Sequence, residues 1–351
     1  MFNKFLSYAA ASLVLASCSS TDVLEENIAA GTAISFSSHV TNSSRAVTSD
    51  NLEKFQVYGG YTTASTSDYH TVFNAVAVSK DGDGSWTYEG SSKYWVEGGT
   101  YKFYAYSCEN VALEKGTPSF SQSGPDAGTF KISDFECSNG HQHDLVYAST
   151  NAITAKGTGN SKVSLNFKHI LSKVNAKFKS GFPSDFTVEI SEVEFRNIYD
   201  KANFSSSNEL WSGQSRTIEY NAAENKWTSI ALPVTGDDKT IQAGKPAEGS
   251  DPAVAAKDLT TGPAFFLPVT YSENNVTLSF KIVVKQGDET IKTDYVKGNL
   301  KPEWAIGTSY TYNVTINGSA AGVEKIEFEV DASNGVQDWT TSPDVDFNIG
   351  A

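Results

Sequence analysis

The histidines and cysteines are the side chains of this sequence with the widest chemical repertoire, and one small group of them lies close together. His141, His143 and Asp144 fall within four residues, and Cys137 precedes them by four. In an extended segment His141 and His143 would share one face, a spacing that a zinc site can use. So short a group has little specificity. We therefore interpret it as a polar loop leading into a strand at Leu145, and we predict no metal ligands.

A catalytic site requires a nucleophile, a base and an orienting group in one place. The remaining histidines are His39, His70 and His169, and none of the five lies in a G-x-S-x-G turn or an H-E-x-x-H helix. The sequence also has no glycine-rich loop of the kind that holds a nucleotide. Carboxylates are numerous, but their number alone does not identify the pair that glycoside hydrolysis needs. The sequence therefore predicts no enzyme activity and no cofactor.

The N-terminus carries the most specific local pattern of the chain. Lys4 precedes a short apolar run over Leu6–Ala16, and small residues close the run at Leu15-Ala16-Ser17-Cys18. This layout is typical of a secretory signal peptide, and the run is too short to span a membrane. Leu-Ala-Ser-Cys is also similar to the bacterial lipobox, which implies a signal peptide over residues 1–17 and a lipid anchor on Cys18. The alternative is a plain secretory signal with an incidental cysteine.

Residues 18–31 then form a polar tether, and the three acidic residues within it resemble the export tag of surface-displayed lipoproteins in Bacteroides-like bacteria. Two further cysteines remain, Cys108 and Cys137. Outside the cytoplasm such a pair can oxidise. Nothing in the sequence shows that the two meet, so the pair is a candidate disulfide with both outcomes open.

Composition and charge narrow the class of protein. The net charge of -14 and the pI near 4.8 argue against a surface for nucleic acid or anionic membrane, since both need a basic footprint. Aromatic residues make up 12% of the chain, and Ser and Thr clusters recur between short apolar runs, which favours mostly antiparallel sheet. A length of 351 residues is enough for two domains that each bury a core.

The segment Val163–Lys179, near the middle of the chain, alternates apolar and polar residues, but the phase slips after His169. Period-two alternation predicts strand, and the slip predicts one kinked strand or two successive strands. The alternative is an amphipathic helix. We favour strand because the Ser and Asn residues of the segment are indifferent helix formers and no capping pattern brackets it. We place a domain boundary here, between residues 167 and 168.

Several stretches carry a resemblance to a known family. In order they read KYWVEGGTYKFYAY (93–106), HDLVYA (143–148), NFKHILSK (166–173), FFLPVT (265–270) and WAIGTSYTY (304–312). Behind a lipobox and an early Ile-x-Phe strand, this series resembles the fimbrillin family, specifically the Mfa-like pilins and pilus-accessory lipoproteins of Bacteroidales. The resemblance covers most of the mature chain.

The resemblance implies an all-β fold with two tandem transthyretin-like antiparallel β-sandwich domains behind a lipoprotein signal peptide. The domains would span residues 32–167 and 168–351. It also implies no enzyme activity and assembly with other fimbrial subunits into type V pili. The expected location is the outer membrane and cell surface, with the acylated Cys18 in the outer-membrane lipid and a receptor on a host or bacterial surface as a further partner.

In that family the polymerising subunits are cut by an arginine-specific protease after the first strand, and the exposed groove accepts a strand from a neighbour. Mapped onto this sequence, Ile34–Phe36 would belong to the removable strand and Arg45-Ala46 would be the bond that is cut. The segment after Asp331 would supply the donor strand. The tail from Gln337 onward has few apolar residues, so a tip or anchor subunit that donates nothing is the alternative.

A second class of function stays open. Six tryptophans are present, and several exposed rings would form a platform on which sugars stack. The chain would then be a surface glycan-binding lipoprotein. In a β-sandwich, however, a tryptophan is more often a core anchor.

Overall fold

The computed structural model describes a chain built of strands and turns. Its described residues are 32–40, 47–155, 162–182, 185–218, 221, 228–232, 234, 240–242, 257–260, 262–318, 326–332, 340–341 and 345–348. Within these ranges every named element is a strand, so the all-β prediction is confirmed. No helix in them is long and apolar enough to cross a membrane.

In the first half of the chain, the described residues form ten strands. They are β1 (Ser35–Val40), β2 (Lys54–Thr63), β3 (Thr66–Lys80), β4 (Trp86–Tyr88), β5 (Gly99–Cys108), β6 (Thr117–Phe120), β7 (Phe130–Glu136), β8 (Leu145–Ser149), β9 (Ile153–Thr154) and β10 (Lys162–His169).

In the second half, the described residues form sixteen strands, several of them very short. They are β11 (Ser172–Ser180), β12 (Phe186–Arg196), β13 (Lys201–Ser205), β14 (Leu210–Ser215), β15 (Ser229–Leu232), β16 (Thr240–Gln242), β17 (Lys257–Asp258), β18 (Ala264–Phe266), β19 (Val269–Thr270), β20 (Val276–Gln286), β21 (Glu289–Leu300), β22 (Glu303–Trp304), β23 (Thr308–Gly318), β24 (Ile326–Ala332), β25 (Thr340–Thr341) and β26 (Val345–Asn348).

One eight-stranded sheet organises the first half. Its strand order is β1-β10-β8-β5-β2-β3-β4, with β9 also paired to β5. The sheet curls so that its two ends approach, because the Phe36 ring of β1 lies 6.0 Å from the Tyr88 ring of β4. The concave face encloses an aromatic core to which β5 contributes Tyr101, Phe103 and Ala105, all fully buried on one face as their alternation predicts.

The middle segment forms two successive strands, β10 and β11, so the helix alternative is wrong. In β10 the buried residues are Val163, Leu165, Phe167 and His169, and in β11 the parity changes after a break at residues 170 and 171. The two strands enter different sheets, which is how the chain accommodates a slip that would otherwise reverse every side chain. The domain boundary at 167/168 stays a prediction.

A seven-stranded and a five-stranded sheet form the core of the second half. Their orders are β17-β11-β23-β24-β26 and β15-β12-β20-β21, with β18, β25 and β16 paired off these paths. The two sheets pack face to face, since the ring of Phe178 on β11 lies 5.1 Å from that of Phe280 on β20. Most pairings are antiparallel, but three are parallel: β1 with β10, β11 with β23, and β23 with the short strand β25.

A four-stranded sheet of order β14-β13-β7-β6 joins strands from both halves of the chain. The segments Cys108–Asn139 and Asn203–Ser212 are rich in polar and turn-forming residues, yet both contribute strands to this sheet. Strand β7 pairs with β13 across a separation of about seventy residues, with Ala202 opposite Phe135. This sheet covers the convex face of the eight-stranded sheet, where Phe130 lies 6.0 Å from Tyr147.

Gly60 on β2 occupies a position where the neighbouring strand approaches closely. A Cβ atom there would lie 2.1 Å from the carbonyl oxygen of His70. We expect Gly60→Ala to lower the free energy of unfolding by about 1–3 kcal/mol, because the backbone of β3 would have to move. Chemical denaturation would measure the change. Gly82→Ala is the matched control, since a Cβ at Gly82 meets nothing within 4 Å; equal effects of the two substitutions would contradict the close approach.

Candidate functional site

The candidate site is the first strand and the groove that holds it. Strand β1 lies at one end of the eight-stranded sheet and pairs in parallel with β10 over six positions, from Ser35 opposite Lys162 to Val40 opposite Phe167. At its N-terminal end, the Ile34 N–H donates to the carbonyl of Lys93 at 2.7 Å. The strand is therefore held by main-chain hydrogen bonds along its length.

The C-terminal end of β1 is held by a side chain from beyond residues 41–46. The Val40 N–H donates to the Ser49 hydroxyl at 2.8 Å, and that hydroxyl donates to the Val40 carbonyl at 3.2 Å. At the end of β1, the Ser49 hydroxyl thus makes the hydrogen bonds that the main chain of a neighbouring strand would otherwise make. The sequence carried no signal for this role, because serine in a polar segment is typical of any turn.

Phe36 is the anchor of β1 and occupies a cage of four aromatic rings. Its ring centroid lies 6.3 Å from that of Phe55, 5.3 Å from Phe73, 6.0 Å from Tyr88 and 6.0 Å from Phe103. The rings of all four pairs meet edge to face, an arrangement that adds to the burial energy of each pair. The Phe36 side chain is only 2% exposed.

The other apolar residues in and next to β1 lie on the same side as Phe36. Ile34 and Val40 are buried on the same side as Phe36, whereas His39 is exposed. Full burial of one such apolar side chain contributes about 1.5–3 kcal/mol. Three of them make β1 an integral part of the core, although it is an end strand of its sheet.

A buried polar pair fixes the chain just after residues 41–46. Asp144 is fully buried, and its Oδ2 lies 2.7 Å from His169 Nδ1 and accepts the N–H of Val47 at 3.1 Å. The Val47 side chain is itself buried. His169, at the end of β10, thus lies beside the carboxylate that holds the main chain of Val47.

The predicted processing and lipidation residues lie outside the described residues. These are Cys18, Arg45 and Ala46, together with the signal peptide and tether over residues 1–31. The described residues that flank the predicted cut are Val40 and Val47, each buried and each hydrogen-bonded through its main chain. Both residues that flank the segment are therefore attached to the fold.

Cys108 and Cys137 are both buried and both carry free thiols in this structure. Burial raises the pKa of the Cys108 thiol to about 12, and burial likewise raises the pKa of Cys137. Each thiol is therefore protonated at neutral pH and a poor nucleophile. A disulfide between them stays a prediction.

The histidine group before β8 is engaged in ion-pair geometry with glutamates. His141 Nδ1 lies 3.0 Å from Glu114 Oε2, and His143 Nδ1 lies 3.1 Å from Glu109 Oε2. Glu109 also accepts the N–H of Asp144 at 3.0 Å. Among the described residues no group of three or more His, Cys, Asp or Glu side chains is arranged to hold a metal ion.

The described tryptophans do not form an exposed platform. Trp95, Trp211 and Trp304 are buried, and Trp86 is half-buried against Phe55. Trp227 and Trp339 lie outside the described residues. In the described part of the chain, the large aromatic side chains that are exposed are two tyrosines, Tyr94 and Tyr295.

Comparison with known proteins identifies the family. A family model described as fimbrillin-like matches residues 41–339. A fimbrial protein from Bacteroides vulgatus has a similar structure, with a TM-score of 0.60 and 18% sequence identity over 86% of this chain and 99% of that one. A proposed cell adhesion protein from Bacteroides ovatus, also 18% identical, gives a TM-score of 0.46 over 89% of this chain and 99% of that one. No curated protein sequence matches.

At 18% identity the Bacteroides vulgatus structure shows a shared fold and nothing about chemistry. The family model is the stronger result because it spans most of the sequence, including both sandwich cores and the groove of β1 apart from β1 itself. The chain therefore belongs to the fimbrillin-like family.

Proposed function

We propose that this chain is a cell-surface fimbrial subunit that assembles by exchange of a β-strand. Membership of the fimbrillin-like family supports a fimbrial subunit or adhesin. The observation that carries the finer proposal is the placement of β1, an end strand whose pairing partner β10 and aromatic cage would both be left open if it departed. Strand exchange would restore both.

The physical driving force is β-augmentation. Removal of β1 would leave six positions of β10 without their partner and would open the cage around Phe36 to water. Unpaired main-chain groups beside an apolar cleft are a template for another strand. A donor strand from a neighbouring subunit would satisfy the hydrogen bonds and bury the apolar surface, and each new subunit would present the next groove.

The route to the surface follows from the N-terminal pattern. We propose export as a lipoprotein, acylation of Cys18, and attachment to the lipid of the outer membrane. Cleavage at Arg45-Ala46 would then separate the segment that contains β1 and the lipid anchor from the rest of the subunit. The segment between Val40 and Val47 is suited to this role, since both flanking residues are tied to the fold and a cut between them would leave the core in place.

Arg45→Lys should abolish assembly, because lysine keeps the charge but is not a substrate for an arginine-specific protease. We expect wild-type cells to show an SDS-resistant ladder and a mature N-terminus at Ala46. Cells with the variant should show monomer with an acylated Cys18 at its N-terminus. Gel electrophoresis shows whether the ladder is present, and mass spectrometry identifies the mature N-terminus.

Arg196→Lys is the matched control, because it makes the same chemical change in a strand away from the predicted cut and should leave the ladder intact. An undiminished ladder from Arg45→Lys would reject processing at this bond. If wild-type cells that produce pili contained only uncleaved, acylated monomer, the polymerising role itself would be rejected and a tip or anchor role would remain.

A further inference from the structure

Strand β21 is a long edge of its sheet. It ends the five-stranded sheet, and within the described part of the chain it pairs with β20 alone. It has 12 residues, whereas each of the other described strands that end a sheet has 6 residues or fewer. An exposed edge presents main-chain N–H and C=O groups to which a further strand can pair, and a short edge limits such pairing. Strand β21 lacks the protection of a short length.

Two large apolar side chains of β21 are exposed. Ile291 is 38% exposed and Tyr295 is 48% exposed. The Tyr295 hydroxyl donates to Glu192 Oε2 at 2.5 Å, and Lys281 Nζ lies 5.9 Å from the centroid of the tyrosine ring. These contacts hold the ring against the sheet, so a partner that covers it has little side-chain freedom left to remove. The edge therefore offers an apolar surface beside its main-chain groups.

The side chains along this edge are complementary to their own order in reverse. Antiparallel pairing of two copies about a two-fold axis at Thr293 places Lys292 of each copy opposite Asp294 of the other. The same register places Ile291 of each copy opposite Tyr295 of the other. We propose that β21 is a self-pairing edge, and that its partner is β21 of a second copy of this chain. The pairing joins the two five-stranded sheets into one.

Charge selects this register over its neighbours. A shift of the axis by one residue in either direction places Lys292 or Asp294 opposite its own counterpart. Like charges at facing positions of two strands are unfavourable, and opposite charges stabilise the pair. Within one chain, Lys292 Nζ lies 3.3 Å from Asp294 Oδ2. Two copies thus bring together two ammonium and two carboxylate groups, in which each charge has opposite charges beside it in its own chain and across the axis.

A β-bulge limits the length of the contact. Thr290 faces Lys285 and Lys292 faces Val284, so Ile291 is an extra residue in the ladder between β20 and β21. Bulges bend a strand, and they are one means by which proteins restrict pairing at an edge. The contact therefore covers residues 291–295 of each copy. An interface of this small size belongs to the weak and transient class.

The contact is independent of the strand exchange proposed above. It uses a sheet in the second half of the chain, and it requires neither the cut at Arg45-Ala46 nor the departure of β1. A two-fold contact closes on itself after two copies, whereas strand exchange continues from subunit to subunit. In a fimbria, the β21 contact would join subunits of adjacent filaments side by side.

Disulfide trapping tests the position of the two-fold axis. Facing residues of an antiparallel pair have Cα atoms about 4.5–5.5 Å apart, a separation that suits a disulfide. The full chain with Thr293→Cys is oxidised with diamide, and the covalent dimer is measured on non-reducing gels. Every protein in the experiment carries Cys18→Ser, which leaves the buried Cys108 and Cys137 as the other thiols.

Thr290→Cys is the matched control, because it makes the same change at another exposed residue of β21. The proposed register places the two copies of residue 290 roughly 20 Å apart, so we expect the Thr293→Cys dimer to form at least about 10-fold faster. Equal rates for the two proteins, or no dimer from either, would overturn the self-pairing of β21.

Exchanged charges test the facing pair. Each substitution is added to the Thr293→Cys protein, and a size tag on one of them identifies the mixed dimer. Lys292→Asp creates facing acidic pairs and Asp294→Lys creates facing basic pairs, so each protein alone should cross-link roughly fivefold more slowly. In a mixture the acidic edge faces the basic edge, and the mixed dimer should form at a rate within about twofold of the parent.

The mixture separates contact between copies from contact within a chain. Both variants lack the ion pair between residues 292 and 294 of their own chain, so recovery on mixing requires pairing between copies. If the mixed dimer forms as slowly as the dimers of each variant alone, Lys292 and Asp294 do not face each other, and the proposed register is overturned.

Discussion

Phe36→Ala is expected to lower the free energy of unfolding by about 3–5 kcal/mol, the cost typical of removing a buried aromatic side chain from a core. The ring contacts four other aromatic rings and is almost fully buried, so its loss leaves a cavity that rigid neighbours cannot fill. Urea denaturation of the full chain, followed by tryptophan fluorescence, measures the change.

The matched control for this prediction is Ser37→Ala, the next residue of the same strand. Ser37 lies on the other side of the strand and is half-buried, so we expect its replacement to change stability by about 0.5 kcal/mol or less. If Phe36→Ala cost no more than Ser37→Ala, β1 would not be a structural part of the core. The aromatic core would then be closed without β1, and a donor strand would find no open groove to fill.

Local alternation was enough to predict the strands whose two faces differ sharply. β10 alternates apolar and polar residues along its whole length, and the structure buries its apolar face. The residues Asp81-Gly-Asp-Gly84 likewise favour a tight hairpin turn, and they join β3 to β4. In these elements, the sequence pattern that predicts the structure lies within about ten residues.

The four-stranded sheet was not predictable in the same way. Strands β6 and β13 are four and five residues long, and neither alternates over enough residues to be distinguished from loop. Each becomes a strand because a partner is present, and for β13 the partner β7 comes from the other half of the chain. Such pairing is a property of the tertiary fold, so a local pattern cannot contain it.

The candidate site was predicted in outline only. The Ile-x-Phe pattern indicated a strand at Ile34–Phe36, but its burial was no more evident than that of any other short apolar run. The cage depends on Phe55, Phe73, Tyr88 and Phe103, which belong to four different strands and converge only because the sheet curls. Likewise, nothing in the sequence linked Asp144 to Val47, which lies 97 residues earlier.

Parallel pairing gives the two halves a common design. The first long strand of each half pairs in parallel with the last long strand before the next segment, β1 with β10 and β11 with β23. In the second half β11 also pairs with β17 and β18 along its other edge, so β11 is an interior strand. In the first half β1 is terminal, so it alone of the two can leave without breaking a sheet in the middle. The strand exchange that we propose therefore involves β1 and the N-terminal half.

Asp144→Ala is the second large effect that we expect, at about 2–5 kcal/mol, because each buried group that loses its hydrogen-bond partner costs about 1–3 kcal/mol. The carboxylate accepts the Val47 N–H and faces His169, and both are buried. Its loss should also free the chain after residue 46, so hydrogen exchange at Val47 should accelerate before global unfolding does.

Asp144→Asn separates the two roles of the side chain. Asparagine keeps the shape and one carbonyl acceptor, so it can hold the Val47 N–H while it changes the contact with His169. We expect it to cost less than the alanine variant and to leave exchange at Val47 slow. If the alanine variant instead unfolded at the wild-type urea concentration, Asp144 would not hold this segment. If both variants released Val47 equally, its position would depend on the charge of the carboxylate rather than on the hydrogen bond.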